Sequence, residues 1–119
     1  MTHDHTFGTF SSARVAGGLV FTSGKVGLGA DGVRPASFED EVRAALASLA
    51  QTLEEYGSSL ENLVQVHCIL RDMSDFETFD RIYAEVIPAP VPPRATHGGA
   101  LVQDFRFEVV GIAELNAPE

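Results

Sequence analysis

The sequence predicts a two-layer α+β domain in which two helices cover one face of a sheet, in the chain order β-β-α-β-α-β-β. Three observations carry this expectation. Two stretches repeat apolar residues at helical spacing, several others alternate with the period of a strand, and clusters of glycine and proline separate them.

The first element reads as a hairpin. Phe7 to Phe10 and Arg14 to Ala16 lead into Gly17 and Gly18, Leu19 to Ser23 lead out, and the glycine pair supplies the positive φ that a two-residue turn needs. From Gly24 to Pro35 four glycines, Asp31 and a proline interrupt any regular pattern, which predicts a turn-rich connection. Ser37 is a reasonable N-cap for the helix that follows, and Glu39, Asp40 and Glu41 suit the positive end of its dipole. Phe38, Val42, Leu46, Leu49, Leu53 and Tyr56 form its apolar stripe, and Gly57 is the expected stop.

Leu63 to Leu70 read as a strand with Val64, Val66, Cys68 and Leu70 on one face and Gln65, His67 and Ile69 on the other. Both faces are expected to be at least partly covered. Ser74, Asp75, Phe76 and Glu77 form a capping box, and Phe76, Phe79, Ile82, Tyr83, Val86 and Ile87 make the stripe of a second helix. Pro88, Pro90, Pro92 and Pro93 end that helix and hold the chain extended up to Arg94. A short strand near Ala95 to Val102 and a long one from Phe105 to Glu114 complete the order. In the long strand Phe105, Phe107, Val109, Gly111 and Ala113 face one way, and Arg106, Glu108, Val110 and Ile112 the other. With both helices on one side, the second sheet face is left wanting a partner.

Length and composition narrow the function classes. The 119 residues suffice for one hydrophobic core, so 1–119 is read as one domain with 1–6 a mobile terminus. Apolar residues at 45% and charged residues at 21% match an ordinary globular protein and argue against disorder or a fibrous repeat. The net charge is −9 and the basic residues are scattered singly, which opposes a nucleic-acid partner, because that affinity comes largely from neutralising phosphates. Cys68, the single cysteine, lies in an apolar run and reads as a buried thiol that suits a reducing compartment. Met1 to Thr6 contain no apolar signal core, and no stretch approaches the roughly 18 apolar residues of a membrane span. A cytoplasmic location with no membrane partner is therefore expected.

The residues that could carry chemistry are few. His3, His5, His67 and His97 do not form a metal-ligand pattern, so no metal is expected. The Gly24, Gly27, Gly29, Gly32 series opens no helix and implies no phosphate cradle. Ser23 has no His or Asp placed by sequence to activate it and reads as a local or ligand hydrogen-bonding hydroxyl. Lys25, the only lysine, could form a Schiff base, but most single lysines are solvated surface charges. From spacing alone Arg94 and Glu108 read as a surface arginine and a solvent-facing strand glutamate.

Four stretches together point further. They are Phe21, Thr22, Ser23 and Gly24; Leu60 to Asp75 (LENLVQVHCILRDMSD); Phe76 to Tyr83; and Pro92 to Arg94 with the FEVVGIA ending. In order and spacing the chain resembles, from about Gly8 to Glu114, the Rid (YjgF) family, whose members also carry the endoribonuclease L-PSP label. The resemblance implies a chorismate-mutase-like fold, a homotrimer, and ligand sites in clefts between subunits. It also implies an activity: hydrolysis of reactive enamines and imines, such as 2-aminoacrylate, to 2-oxo acids and ammonia, with no cofactor.

Within that resemblance Arg94 matches the arginine that clamps a substrate carboxylate, a task suited to a planar, always charged donor. Glu108 matches the acidic residue that positions the attacking water. Ser23, Phe10, Lys25 and Thr96 fall at substrate-binding positions, with four departures from the family pattern. Phe10 replaces a tyrosine, Lys25 a glutamine and Asp80 an asparagine, and Thr96 stands near a cysteine position. These changes motivate an alternative, a non-catalytic trimer that binds small carboxylates or regulates another protein. Ribonuclease activity is a further alternative, which the net charge opposes.

Overall fold

Gly17 and Gly18, at φ +59° and +78°, close a two-residue turn between β1 (Ala13–Ala16) and β2 (Leu19–Thr22), where the sequence places a hairpin. The computed structural model describes residues 9–118. The expected mobile terminus at 1–6, with His3, His5 and Phe7, lies outside the described residues, and Phe10 itself belongs to no strand.

The stretch expected to be only turns contains a short strand, β3 (Lys25–Val26), which runs antiparallel to the last strand, β6 (Phe107–Glu114). β2 pairs with the same strand further along, Phe21 facing Ile112, while Lys25 faces Val109. Thr22, Ser23 and Gly24 thus stand against only Val110 and Gly111, and the extra residue bends the chain away from the sheet. Thr22 Oγ1 repairs the gap by accepting the Gly111 N–H at 3.0 Å.

Helix α1 (Phe38–Glu55) starts as its sequence suggests: Ser37 Oγ accepts the Asp40 N–H at 3.0 Å, and Gly57 follows the cap residue at φ +88°. Its stripe of Val42, Ala45, Leu46, Leu49 and Leu53 is fully buried against the sheet. The dipole reading suits Glu39 and Asp40 but misses what Glu41 does. Glu41 is fully buried, accepting the Arg106 N–H at 2.7 Å and the Arg106 Nε–H at 2.6 Å, with Arg34 at 3.4 Å. Arg106 is therefore drawn to α1 and does not share the open face with Glu108, because the strand begins only at Phe107. Glu41→Ala should destabilise the fold by about 3 kcal/mol, since it strands the Arg106 charge among partners arranged for a carboxylate; denaturant melts measure this.

β4 (Leu63–Leu70) pairs antiparallel with β6 and parallel with β5 (Arg94–Gly98), and α2 (Phe76–Val86) makes the crossover that a parallel pair requires. The sheet order is β1-β2-β6-β4-β5, with β3 beside β6. A register shift between Leu63 and Gln65 buries Leu63 and turns Val64 outward, against strict alternation. The start of α2 also differs. Asp72, not Ser74, caps the turn Met73–Asp75, accepting the Ser74 N–H at 2.9 Å, and Asp75 makes no side-chain cap. β5 begins at Arg94 and ends at Gly98, earlier than expected, since its bounds follow pairing with Val66 to Leu70.

Both helices lie on one face. Phe79, Ile82 and Tyr83 of α2 are buried in the same core as Phe107, whose ring centre is 5.2 Å from that of Phe79. On the opposite face Gln65 and His67 are exposed, contrary to the expected covering of both sides of β4, and Phe21 is 41% exposed. Phe21 is thus an apolar group presented by a sheet face that neither helix covers.

Candidate functional site

The break at Ser23–Gly24 opens the sheet directly over Glu108. A cleft of about 210 Å³ lies there, lined by Phe10, Ser23, Gly24, Val26, Val102 and Glu108. Alternation in β6 sends Phe107 and Val109 into the core and Glu108 to the open face. Burial raises the proton affinity of Glu108 above that of a free glutamate, and nearby His67 partly opposes the shift.

Gly24 is a close-approach glycine. A Cβ there would lie 2.5 Å from Glu108 Oε2 and 2.6 Å from its carboxyl carbon, so only glycine lets the carboxylate rest on the backbone.

Ser23 is held by its neighbours. Its hydroxyl donates to the Ser12 carbonyl at 3.1 Å, its N–H donates to the same oxygen at 3.0 Å, and Lys25 Nζ donates to Ser23 Oγ at 3.3 Å. With its proton committed to a carbonyl, Ser23 fits the hydrogen-bonding role and not that of a nucleophile. Lys25 departs from the reading of a solvated charge: it is 8% exposed, and Nζ also donates to Ser12 O at 3.1 Å. Burial lowers its pKa, and Glu55 partly restores it. A smaller recess beside the main cleft is lined by Lys25, Leu28 and Ser48 together with Phe10, which borders both spaces.

Arg94 and Thr96 are elsewhere. In β5 they face Val66 and Cys68, which point into the core, so Arg94 lies on the helix side of the sheet and Glu108 on the open side. Arg94 Nη1 donates to Asp80 Oδ1 at 2.8 Å, and its guanidinium carbon is 5.9, 5.0 and 4.7 Å from the ring centres of Phe76, Phe79 and Tyr83. Thr96 Oγ1 and the Tyr83 hydroxyl are buried without hydrogen-bond partners among the described residues. Burial pushes the Cys68 thiol up to about 12, with Arg94 pulling it back, so this cysteine is an inert, protonated core residue.

One chain therefore gathers Phe10, Ser23, Gly24 and Glu108 at one place and Arg94, Thr96 and Asp80 at another. The open face between β4 and β5 also carries a histidine pair, His67 Nε2 to His97 Nδ1 at 2.7 Å. Among the described residues no group of three or more His, Cys, Asp or Glu side chains could hold a metal ion.

Sequence reasoning gave no role to Val26 or Val102, and met Asp80 only as a departure from the family pattern, without the contact it makes. The first two enter through the strand break and a loop. Asp80, on the helical turn between Phe76 and Tyr83, lies beside the stripe that faces Arg94, which is the signal that could have shown its pairing with that arginine.

A mixed sheet with two helices on one side and a glutamate-bearing cleft beside the uncovered face defines a small α+β domain. The model of the endoribonuclease L-PSP family matches residues 2–115, and the chain belongs to this family, the Rid (YjgF) family. It is 34% identical to Reactive Intermediate Deaminase A, chloroplastic, of Arabidopsis thaliana over 91% of its length, while spanning 59% of that longer relative. It is 31% identical to the mouse 2-iminobutanoate/2-iminopropanoate deaminase, over 89% of this chain and 81% of the relative. Among solved structures, a putative endoribonuclease L-PSP from Entamoeba histolytica superposes with a TM-score of 0.89 at 34% identity, covering 95% of this chain and 93% of the other.

Proposed function

We propose that the chain hydrolyses reactive enamine or imine acids of the 2-aminoacrylate type to 2-oxo acids and ammonia, in sites shared between the subunits of a homotrimer. The observation that carries this is Glu108: a half-buried carboxylate with raised proton affinity, resting on Gly24 in a cleft beside Ser23. An iminium carbon is already electrophilic, so catalysis needs little beyond a positioned water and one proton transfer. Glu108 takes a proton from water as the oxygen bonds to the carbon. The same proton is then returned to nitrogen, and as the C–N bond breaks and ammonia leaves, Glu108 takes the remaining hydroxyl proton so that the carbonyl forms, and passes it to the departing ammonia or to solvent. Water is the only co-reactant, and the balance closes without a cofactor.

Arg94 serves as the carboxylate clamp. Because it lies on the opposite side of the sheet from Glu108, a subunit-shared site is the arrangement that lets the two act on one ligand. The exposed Phe21, with Gln65 and His67, offers the face on which a second copy packs. Arg94, Thr96 and Asp80 of one subunit then meet Phe10, Ser23 and Glu108 of its neighbour, with Lys25 securing Ser23 from behind. A protonated, buried Cys68 suits the reducing cytoplasm in which this chemistry is expected.

The test is ammonia and 2-oxo acid release from imines generated in place by an amino-acid oxidase, at rates above the spontaneous reaction. Absence of any acceleration by a folded protein shifts the weight to a carboxylate-binding trimer. The ribonuclease label of the family finds no support in a chain of net charge −9.

A further inference from the structure

We propose that Asp80 sets the ligand selectivity of the Arg94 clamp: it fixes the guanidinium and offsets its charge, so that the site accepts small monocarboxylates and rejects ligands with a second negative group. This rests on the reading of Arg94 as the carboxylate clamp. α2 presents everything that holds this arginine. Phe76, Phe79 and Tyr83 lie within 5.9 Å of the guanidinium carbon, and Asp80, on the same helix, takes Nη1 at 2.8 Å.

The geometry divides the donors of Arg94. With Nη1 engaged by Asp80, the fork left for a two-pronged contact is that of Nε and Nη2, for which the described residues supply no acceptor. A ligand carboxylate therefore binds beside the Asp80 carboxylate. The Asp80 side chain is 50% exposed and the Arg94 side chain 21%, so the negative group stands at the rim and the positive one deeper. Among the described residues Asp80 is the only ion-pair partner of Arg94, and the buried Cys68 and Tyr83 beside it stay protonated, with pKa values raised to about 12.

The first carboxylate of a ligand meets a fixed guanidinium whose charge is half spent. A second carboxylate adds repulsion from Asp80, on a chain whose net charge is already −9. The favoured substrate class is thus imino acids with small, uncharged side chains.

The test uses the full chain and two stable probes: 2-oxobutyrate, the keto acid formed when water hydrolyses 2-iminobutanoate and releases ammonia, and 2-oxoglutarate, which adds a second carboxylate. Calorimetric titration at low salt compares the native chain with Asp80→Asn and Asp80→Glu, after thermal melts show each folded. Asp80→Asn should tighten 2-oxobutyrate about tenfold and 2-oxoglutarate by a clearly larger factor, whereas Asp80→Glu should keep the native discrimination. Equal gains for both probes, or weaker binding of both, would overturn the selectivity role. Arg94→Gln in the native and Asp80→Asn backgrounds separates the two levels. If binding survives that substitution, the clamp itself is wrong and the selectivity proposal falls with it; if binding is lost, the failure or success belongs to Asp80 alone.

Discussion

Arg94→Ala is expected to remove most imine turnover, by about 2 to 5 kcal/mol of transition-state binding, or roughly thirtyfold to several thousandfold in kcat/KM. The guanidinium is mostly buried against three rings, so the hydrogen bonds it gives a carboxylate are strengthened by partial desolvation. Arg94→Lys should rescue little, because an ammonium keeps the charge but neither forks onto a carboxylate nor lies flat on the rings. Asp80, half exposed, returns to water when its partner is lost, and the variants should therefore stay folded in thermal melts. A folded Arg94→Ala with wild-type kcat/KM would remove the clamp from the mechanism.

Glu108→Gln should cut kcat by about 10²- to 10⁴-fold while leaving 2-oxobutyrate binding nearly intact, since the amide fills the same space but cannot accept the proton of water. The pH profile carries an independent signature. Glu108 must be ionised to act as base, and burial raises its pKa above the ordinary glutamate value. Activity should therefore rise with pH through that raised pKa and be lost as pH falls below it, with the inflection above that of a solvated glutamate. Gly24→Ala tests position without touching charge: the added Cβ would lie 2.5 Å from Oε2 and must push the carboxylate aside. A loss of kcat in the same direction as Glu108→Gln, with an unshifted melting temperature, is the expected outcome. An unchanged pH profile in Glu108→Gln would show that another group titrates.

Where a local code decided the structure, the sequence was readable. Gly17 with Gly18, Ser37, Gly57 and the alternation of Phe107 to Ala113 each act within a few residues, and each is found where it was expected. Apart from the cap before α2, where Asp72 and not Ser74 accepts the N–H, the misses are products of distant pairing. β3 exists because two residues find Val109 and Glu108 across the sheet, and Val64 faces out because a register shift against β6 turns it. Glu41 sits on the apolar stripe of α1, three residues after Phe38, and that charge on a buried face was the sign that it has a partner; that the partner would be Arg106, 65 residues away, was not encoded locally. Lys25 is buried for a similar reason, since its ammonium is satisfied by the Ser12 carbonyl and the Ser23 hydroxyl. For the site, family resemblance supplied Arg94 and Glu108, but no pattern along the chain revealed that they project from opposite sides of one sheet.

That separation makes the proposed shared site directly measurable by mixing two defective chains. Arg94→Ala and Glu108→Gln are each expected to be nearly inactive alone. Refolded together at equal amounts, they should form mixed trimers in which about one site in four unites an intact Arg94 from one subunit with an intact Glu108 from another. The predicted result is recovery of roughly a quarter of wild-type ammonia release. Mixed oligomers, verified by mass, that recover no activity above the separate variants would contradict a site built by Arg94 and Glu108 across the subunit boundary.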